Sequence, residues 1–291
     1  MDIHTPPVNR LHSTPPDPQR HQMLQDIARG MSRDVVFPTG FNTLTRLHAA
    51  LEDPAIGLAE IGQLILTDPL VSARILALAN SVAYNPAGKP IQNLQKAVER
   101  LGLQNVRMVA LAVASRQMLQ ARDAAFRGLG DRIWAQSLRT ASAAYVVARR
   151  LSRVSPDEAQ FAGLIHNIGA FYILYCGMQY KELVAAPELM LQLLVEWHES
   201  VGHTLAFALG LPPALADTIL DEDEPRDDWP EPISSLADVV FVANQLADGA
   251  ACWQEQPLEL PAAQAALRGR LIDQLGEEID ARQQALTAAL A

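Results

Sequence analysis

Imidazole, carboxylate and guanidinium groups are the side chains of this chain most able to hold a cation, move a proton or grip an anion. His166 lies in Gly163-Leu164-Ile165-His166-Asn167-Ile168-Gly169, His198 opens His198-Glu199-Ser200-Val201-Gly202, and Asp238 ends Leu236-Ala237-Asp238. Imidazole and carboxylate ligands brought from separate helices can hold a cation that turns water into hydroxide. The run Asp221-Glu222-Asp223-Glu224 offers oxygens to a hard cation but lacks the spacing of a calcium loop, and such runs are more often solvated loops. Cys176 and Cys252 are far apart, with no CxxC or Cys/His spacing, so they indicate neither a zinc site nor a disulfide framework. From Arg100 to Arg153 there are ten arginines against only Asp123 and Asp131. Guanidinium forks suit phosphate and carboxylate, which makes Arg100, Arg107, Arg149, Arg150 and Arg153 a candidate patch for a small anionic ligand or an acidic protein partner. The plainer expectation is a set of solvated helix faces neutralised by acids from elsewhere in the fold.

These groups need a frame, and the composition specifies a helical one. Hydrophobic residues make up 49% of the 291 residues and aromatics only 5%, with Ala and Leu dominating, the residues that cost a helix least. No strand-like alternation and no internal repeat is evident. A net charge of -10 argues against a nucleic-acid binder working by whole-molecule electrostatics, so DNA is not expected as a partner. Apolar stretches such as Met108 to Ala114 fall short of the roughly 20 residues of a membrane span. The N-terminus shows no apolar signal core. A cytoplasmic protein with no membrane partner is the expectation.

Residues 1–36 read as a Pro-rich arm and leading segment, with Pro6, Pro7, Pro15, Pro16 and Pro18 lacking the donors that helices and ladders need. Five helices are expected over 37–120. Leu44, Leu47 and Leu51 form one apolar stripe, and Leu58, Ile61, Leu64 and Ile65 the next. Asp68 with Pro69 starts a third helix through Leu70, Ile75 and Leu78. Asn93 caps a fourth that stops at Gly102, and Val106, Val109, Ala110 and Val113 mark a fifth. Ala121 to Gly130, with two glycines, is the best internal boundary, so a second unit covers 121–250 with helices from near Ile133. Ser155-Pro156-Asp157-Glu158 spells a capping box. A C-terminal helical extension, 251–291, carries Leu267, Leu271, Leu275 and Ile279 on one stripe, to pack back on the domain or to meet another chain.

Three stretches carry a family likeness. Thr67-Asp68-Pro69 through Asn80-Ser81, followed by Ala97-Val98-Glu99-Arg100-Leu101-Gly102, resembles the bacterial HDOD pattern of Asp-Pro, a helix, Asn-Ser and then A-x-x-x-L-G. Phe161 to Gly169 resembles the GLLHDIG signature of the HD superfamily of metal-dependent phosphohydrolases. His198 to Gly202, ending at Leu211-Pro212, is similar to the H-x-x-V-G segment. The likeness spans roughly Phe37 to Ala250. It implies an all-α fold of two packed helical subdomains, an N-terminal five-helix bundle and a C-terminal HD-like bundle.

The same resemblance allows the metal ligands to be checked one at a time. Where a histidine is expected after tryptophan, Trp134-Ala135-Gln136 offers Gln136, and Asn167 stands where an aspartate belongs. His166, His198 and Asp238 match family positions. The paired histidines expected after Leu-Pro fall at Glu222 and Asp223. Loss of anionic and imidazole donors together implies no catalytic metal and no cofactor. His166 is then expected as a hydrogen-bonded core histidine linking helices, His198 and Asp238 as a structural pair, and His203 as a surface or helix-packing residue. The resemblance implies a non-catalytic regulatory module that docks other signalling proteins, in stress, motility or second-messenger control. Two alternatives stay open. One is a phosphohydrolase or cyclic-dinucleotide phosphodiesterase with an altered metal site, and the other is a nucleotide-sensing pocket without catalysis.

Overall fold

Asn80 and Ser81 show how the local sequence shapes this chain, because their side chains close one helix and pin the loop that follows. The structure is a computed structural model that describes residues 69–118, 124–209, 211–220, 229–248 and 260–290, together with Ala50, Ile61, Leu64 and Ile65. Helix α1, Pro69–Asn80, begins with a proline where the missing donor is harmless and buries Val71, Ile75, Leu78 and Ala79. Leu70, expected on that face, is exposed. At the far end Asn80 Nδ2 donates to the carbonyls of Leu76 and Ile91 at 2.9 and 2.8 Å, while its Oδ1 accepts from Ile91 N at 2.7 Å. Ser81 Oγ donates to Leu78 O at 2.7 Å. The residues of the first motif thus serve the backbone. Asp68, expected as the cap of α1, and the stripes through Leu44 and Leu58 lie outside the described residues.

Helix α2, Leu94–Met118, is two helices joined at Gly102, whose φ of 72° a side chain would resist. Asn93 Oδ1 caps its start by accepting from Lys96 N at 3.1 Å. Helix α3, Ala124–Leu151, departs from expectation: it begins well before Ile133 and runs straight through Gly128 and Gly130. Phe126, Leu129 and Ile133 are buried at i, i+3 and i+7, and their burial outweighs the roughly 1 kcal/mol that each glycine costs a helix. The boundary expected between residues 120 and 121 lies outside the described residues.

The chain continues through α4 (Pro156–Ile165), α5 (Ile168–Gly177), the short α6 (Lys181–Ala185), α7 (Pro187–Ala208) and α8 (Pro213–Ala216) with a 3-10 turn at Asp217–Ile219. It ends with α9 (Leu236–Leu246) and α10 (Ala262–Leu290), and every described element is helical. Ser155 Oγ caps α4 by accepting from Glu158 N at 3.4 Å. Helix α3 is the hub, packed against α4, α9 and α10, while α5 lies along α7. One apolar cluster reaches from Ile61 through α1 to α5 and α7 to Leu286, Ala289 and Leu290. A second joins Val146 and Val147 of α3, Phe241 and Val242 of α9, and Leu275 and Ile279 of α10. The C-terminal stripe therefore packs back on its own chain. Among the described residues, no helix is long and apolar enough to cross a membrane.

Candidate functional site

The segment from Gly163 to Gly169 turns from α4 into α5, and helix contact demands both glycines. A Cβ on Gly163 would lie 2.9 Å from Ala141 Cα of α3, and one on Gly169 would run into the His198 carbonyl oxygen of α7. Gly202, one turn further along α7, meets Gly169 from the other side, where a Cβ would stand 3.1 Å from Gly169 N. The motif glycines are the points where backbones touch, and they bring the buried imidazoles of His166 and His198 to these crossings.

Each ring has its Nδ1 2.7 Å from a carbonyl of its own helix, Gly163 O for His166 and Leu194 O for His198. A carbonyl only accepts, so the neutral tautomer of each ring that fits this contact has its proton on Nδ1. That tautomer serves a metal ligand and a structural histidine equally. The geometry gives His166 a local bond within α4 and its last turn.

The neighbouring groups decide what the pocket can hold. Asn167 Nδ2 donates to Gln136 Oε1 at 2.5 Å and to Ser137 Oγ at 3.2 Å, and Gln136 Nε2 donates to Asn244 Oδ1 at 2.6 Å. This chain of side-chain amides crosses from the α4–α5 turn through α3 to α9, and Gln136, Asn167 and Asn244 are all buried. Although Asn167 precedes α5 at the capping position, its side chain does not cap that helix; the amide faces Gln136 instead. Asn244 was not foreseen. Its signal is a polar residue in the apolar run Val239-Val240-Phe241-Val242-Ala243, since a buried amide needs a partner.

Asp238 serves its own helix. Ser235 Oγ accepts from Asp238 N at 3.0 Å, while Asp238 Oδ2 accepts from Ser235 N at 2.9 Å and Ser234 N at 3.1 Å, a complete capping box on α9. Burial, which opposes ionisation, is outweighed by these bonds from Ser235 and Ser234, and the carboxyl is held below its ordinary range. Glu222 and Asp223 lie outside the described residues. His203 Nε2 sits 3.4 Å from Asp217 Oδ1 and packs edge-on against Phe207, a helix-packing role. Among the described residues, no three His, Cys, Asp or Glu side chains are grouped to hold a metal.

The basic stretch divides by role. Arg149 and Arg150 of α3 both reach Glu278 of α10, at 3.4 and 2.9 Å, and Arg139 reaches Asp280 at 2.6 Å. Arg116 pairs with Asp131 at 2.8 Å. Three of the ten arginines are thus met by acids of the C-terminal helix. Arg100 donates to the Tyr84 carbonyl at 3.0 Å, Arg107 is buried and Arg153 is exposed. Arg282 of α10 returns a cation to the body: Nε donates to Gln160 Oε1 at 2.7 Å and Nη2 to the Tyr84 hydroxyl at 2.8 Å. Burial raises the Tyr84 pKa to about 12, so that hydroxyl stays neutral.

A helical bundle with this histidine-and-glycine frame defines an all-α relative of the HD superfamily. The HDOD domain family matches residues 37–225, more than half of the chain, and the chain belongs to that family. A protein of Treponema pallidum (strain Nichols), described as uncharacterized, is 27% identical over 235 residues, or 75% of this chain; the chain spans 44% of that relative's length. A crystal structure from Shewanella amazonensis SB2B, of a candidate metal-dependent phosphohydrolase, superposes with a TM-score of 0.69 at 21% identity, covering 93% of this chain and 99% of that one. Another from Marinobacter aquaeolei VT8, of a candidate signal transduction protein, gives 0.60 at 19% identity, covering 93% and 64%. The shared fold carries both descriptions, so the site must distinguish them.

A divalent cation is what the HD relationship implies, and among the described residues the amides of Gln136, Asn167 and Asn244 do not fit one. Gln136 Oε1 and Asn244 Oδ1 each accept from an amide N–H, and Asn167 Nδ2 directs its N–H groups to Gln136 and Ser137. No negative charge from residue 167 or 136 offsets the ion.

Proposed function

We propose that this chain is a non-catalytic signalling module of the HDOD type, a rigid helical platform that docks other bacterial signalling proteins in the cytoplasm. The observation that carries this reading is the buried amide chain Asn167–Gln136–Asn244, which bonds to itself across three elements where hydrolysis would need charged ligands. Such a chain locks helices together and supplies no group that ionises water. The Marinobacter relative's description as a signal transduction protein supports the regulatory sense. Stress, motility or second-messenger control is the class of pathway implied.

Turnover tests the proposal. Full-length protein is incubated with bis(p-nitrophenyl) phosphate and with cyclic dinucleotides in the presence of Mn²⁺, Mg²⁺ or Fe²⁺. The expected result is hydrolysis no faster than in protein-free controls. Hydrolysis abolished by His166→Ala would overturn the reading in favour of a phosphodiesterase.

A further inference from the structure

Away from the amide chain, a cleft of about 270 Å³ opens between the loop after α1, the C-terminal end of α3 and the second half of α10. We propose that this cleft binds a small organic anion, one carboxylate or phosphate head on a short apolar body.

The walls argue for the body. Val82, Tyr145 and Ala285 line the cleft, and Val82 is 82% exposed, an apolar side chain that gains from being covered. The volume falls just under the roughly 300–1,000 Å³ of drug-sized sites, which sets the occupant's size well below a cyclic dinucleotide.

Charge argues for the head. Arg282 and Arg149 line the cleft with one acid, Glu278. Glu278 is shared by Arg149 and by Arg150, 2.9 Å away, while the contacts of Arg282 are to Gln160, Tyr84 and the Tyr145 ring, so the two guanidinium groups of the lining meet one carboxylate. Arg282 is fixed in advance. It lies 3.7 Å from the Tyr145 ring centre and 5.0 Å from that of Tyr84, and it is bonded to Gln160 and Tyr84. A cation held in this way loses little further freedom when an anion arrives. Asp157 stands 3.3 Å from the Tyr84 hydroxyl but is not in the lining. Arg149 is half exposed at the mouth, 3.4 Å from Glu278, an exposed pair that an incoming anion can replace at small cost. Glu278 holds the place of the ligand's head.

Arg282, Glu278 and Ala285 belong to α10, beyond the residues 37–225 that match the family. The site therefore stands or falls separately from the proposed scaffold role.

Titration calorimetry on the full chain at low salt, with phenyl phosphate, benzoate and inorganic phosphate as probes, tests the proposal. Phenyl phosphate or benzoate is expected to bind one-to-one with a Kd of about a millimolar or tighter. Inorganic phosphate, which has no apolar body, should bind about tenfold more weakly. Preference for phenyl phosphate over benzoate would assign a phosphate head, and the reverse a carboxylate. Arg149→Gln should weaken binding about fivefold, and Glu278→Gln should strengthen it by a similar factor. Ala285→Phe should abolish binding while the protein stays folded. The proposal is overturned if neither organic probe binds, if inorganic phosphate binds as well as they do, if the two charge variants shift affinity in the same direction, or if Ala285→Phe leaves it unchanged.

Discussion

At residue 167 a single atom sets the hydrogen bonding of the buried amides. Asn167 Nδ2 donates at 2.5 Å to Gln136 Oε1, and an aspartate there would set a carboxylate oxygen against that oxygen in a buried site. Asn167→Asp should therefore cost about 3 kcal/mol, read as a lower urea midpoint, because a hydrogen bond becomes a repulsion between buried acceptors. Added Mn²⁺ should not restore the loss; restoration would mean that a cation position survives. Gly169 is equally exacting, since a methyl group there meets the backbone of α7 at His198 and Gly202. Gly169→Ala should cost about 3 kcal/mol or more by chemical denaturation, since two backbones would have to separate. That Gln136 and Asn167 share one neighbourhood was legible in the sequence through the motifs that carry them. The partner Asn244 was not, because it lies 108 residues from Gln136 and spacing gives no hint of a contact at such range.

Among the elements, those governed by local rules were the readable ones. Asn93 and Gly102 act where their side chain or backbone freedom predicts, and Ser155 forms its own half of the capping box expected with Glu158. The start of α3 was hidden because two glycines signal a break that only the packed core overrules. Asp238 matches a family ligand position and was expected as a structural partner of His198, whereas Ser235-Leu236-Ala237-Asp238 also has capping-box spacing, and that box forms. This role has a pH signature. The folded-state pKa of Asp238 lies below its unfolded value, so its contribution is present above the unfolded pKa and is lost as pH falls through the folded one. Thermal melts should thus show wild type losing stability relative to Asp238→Asn as pH drops below about 4. At neutral pH, Ser235→Ala should cost about 1 kcal/mol by removing the other half of the box.

For the whole molecule, the C-terminal helix is part of the fold. It inserts Leu275, Ile279, Leu286 and Leu290 into the two apolar clusters and answers Arg139, Arg149 and Arg150 with Asp280 and Glu278. Its apolar stripe was visible in sequence, but its destination was not, because an amphipathic face fits another chain as well as its own. Truncation after residue 260 should lower stability by on the order of 5 kcal/mol or more, given about 1.5–3 kcal/mol for each large apolar side chain released. A near-unchanged melting temperature would show the helix to be an appendage. The central claim, that the HD frame is kept while its ligand chemistry is gone, is tested most directly by metal stoichiometry. Full-length protein, purified without chelator and then dialysed against micromolar Mn²⁺, Fe²⁺ and Zn²⁺, is measured by elemental mass spectrometry. Far less than one ion per chain, unchanged by His166→Ala and His198→Ala, is the predicted result. One tightly held ion per chain, released by either substitution, would contradict it.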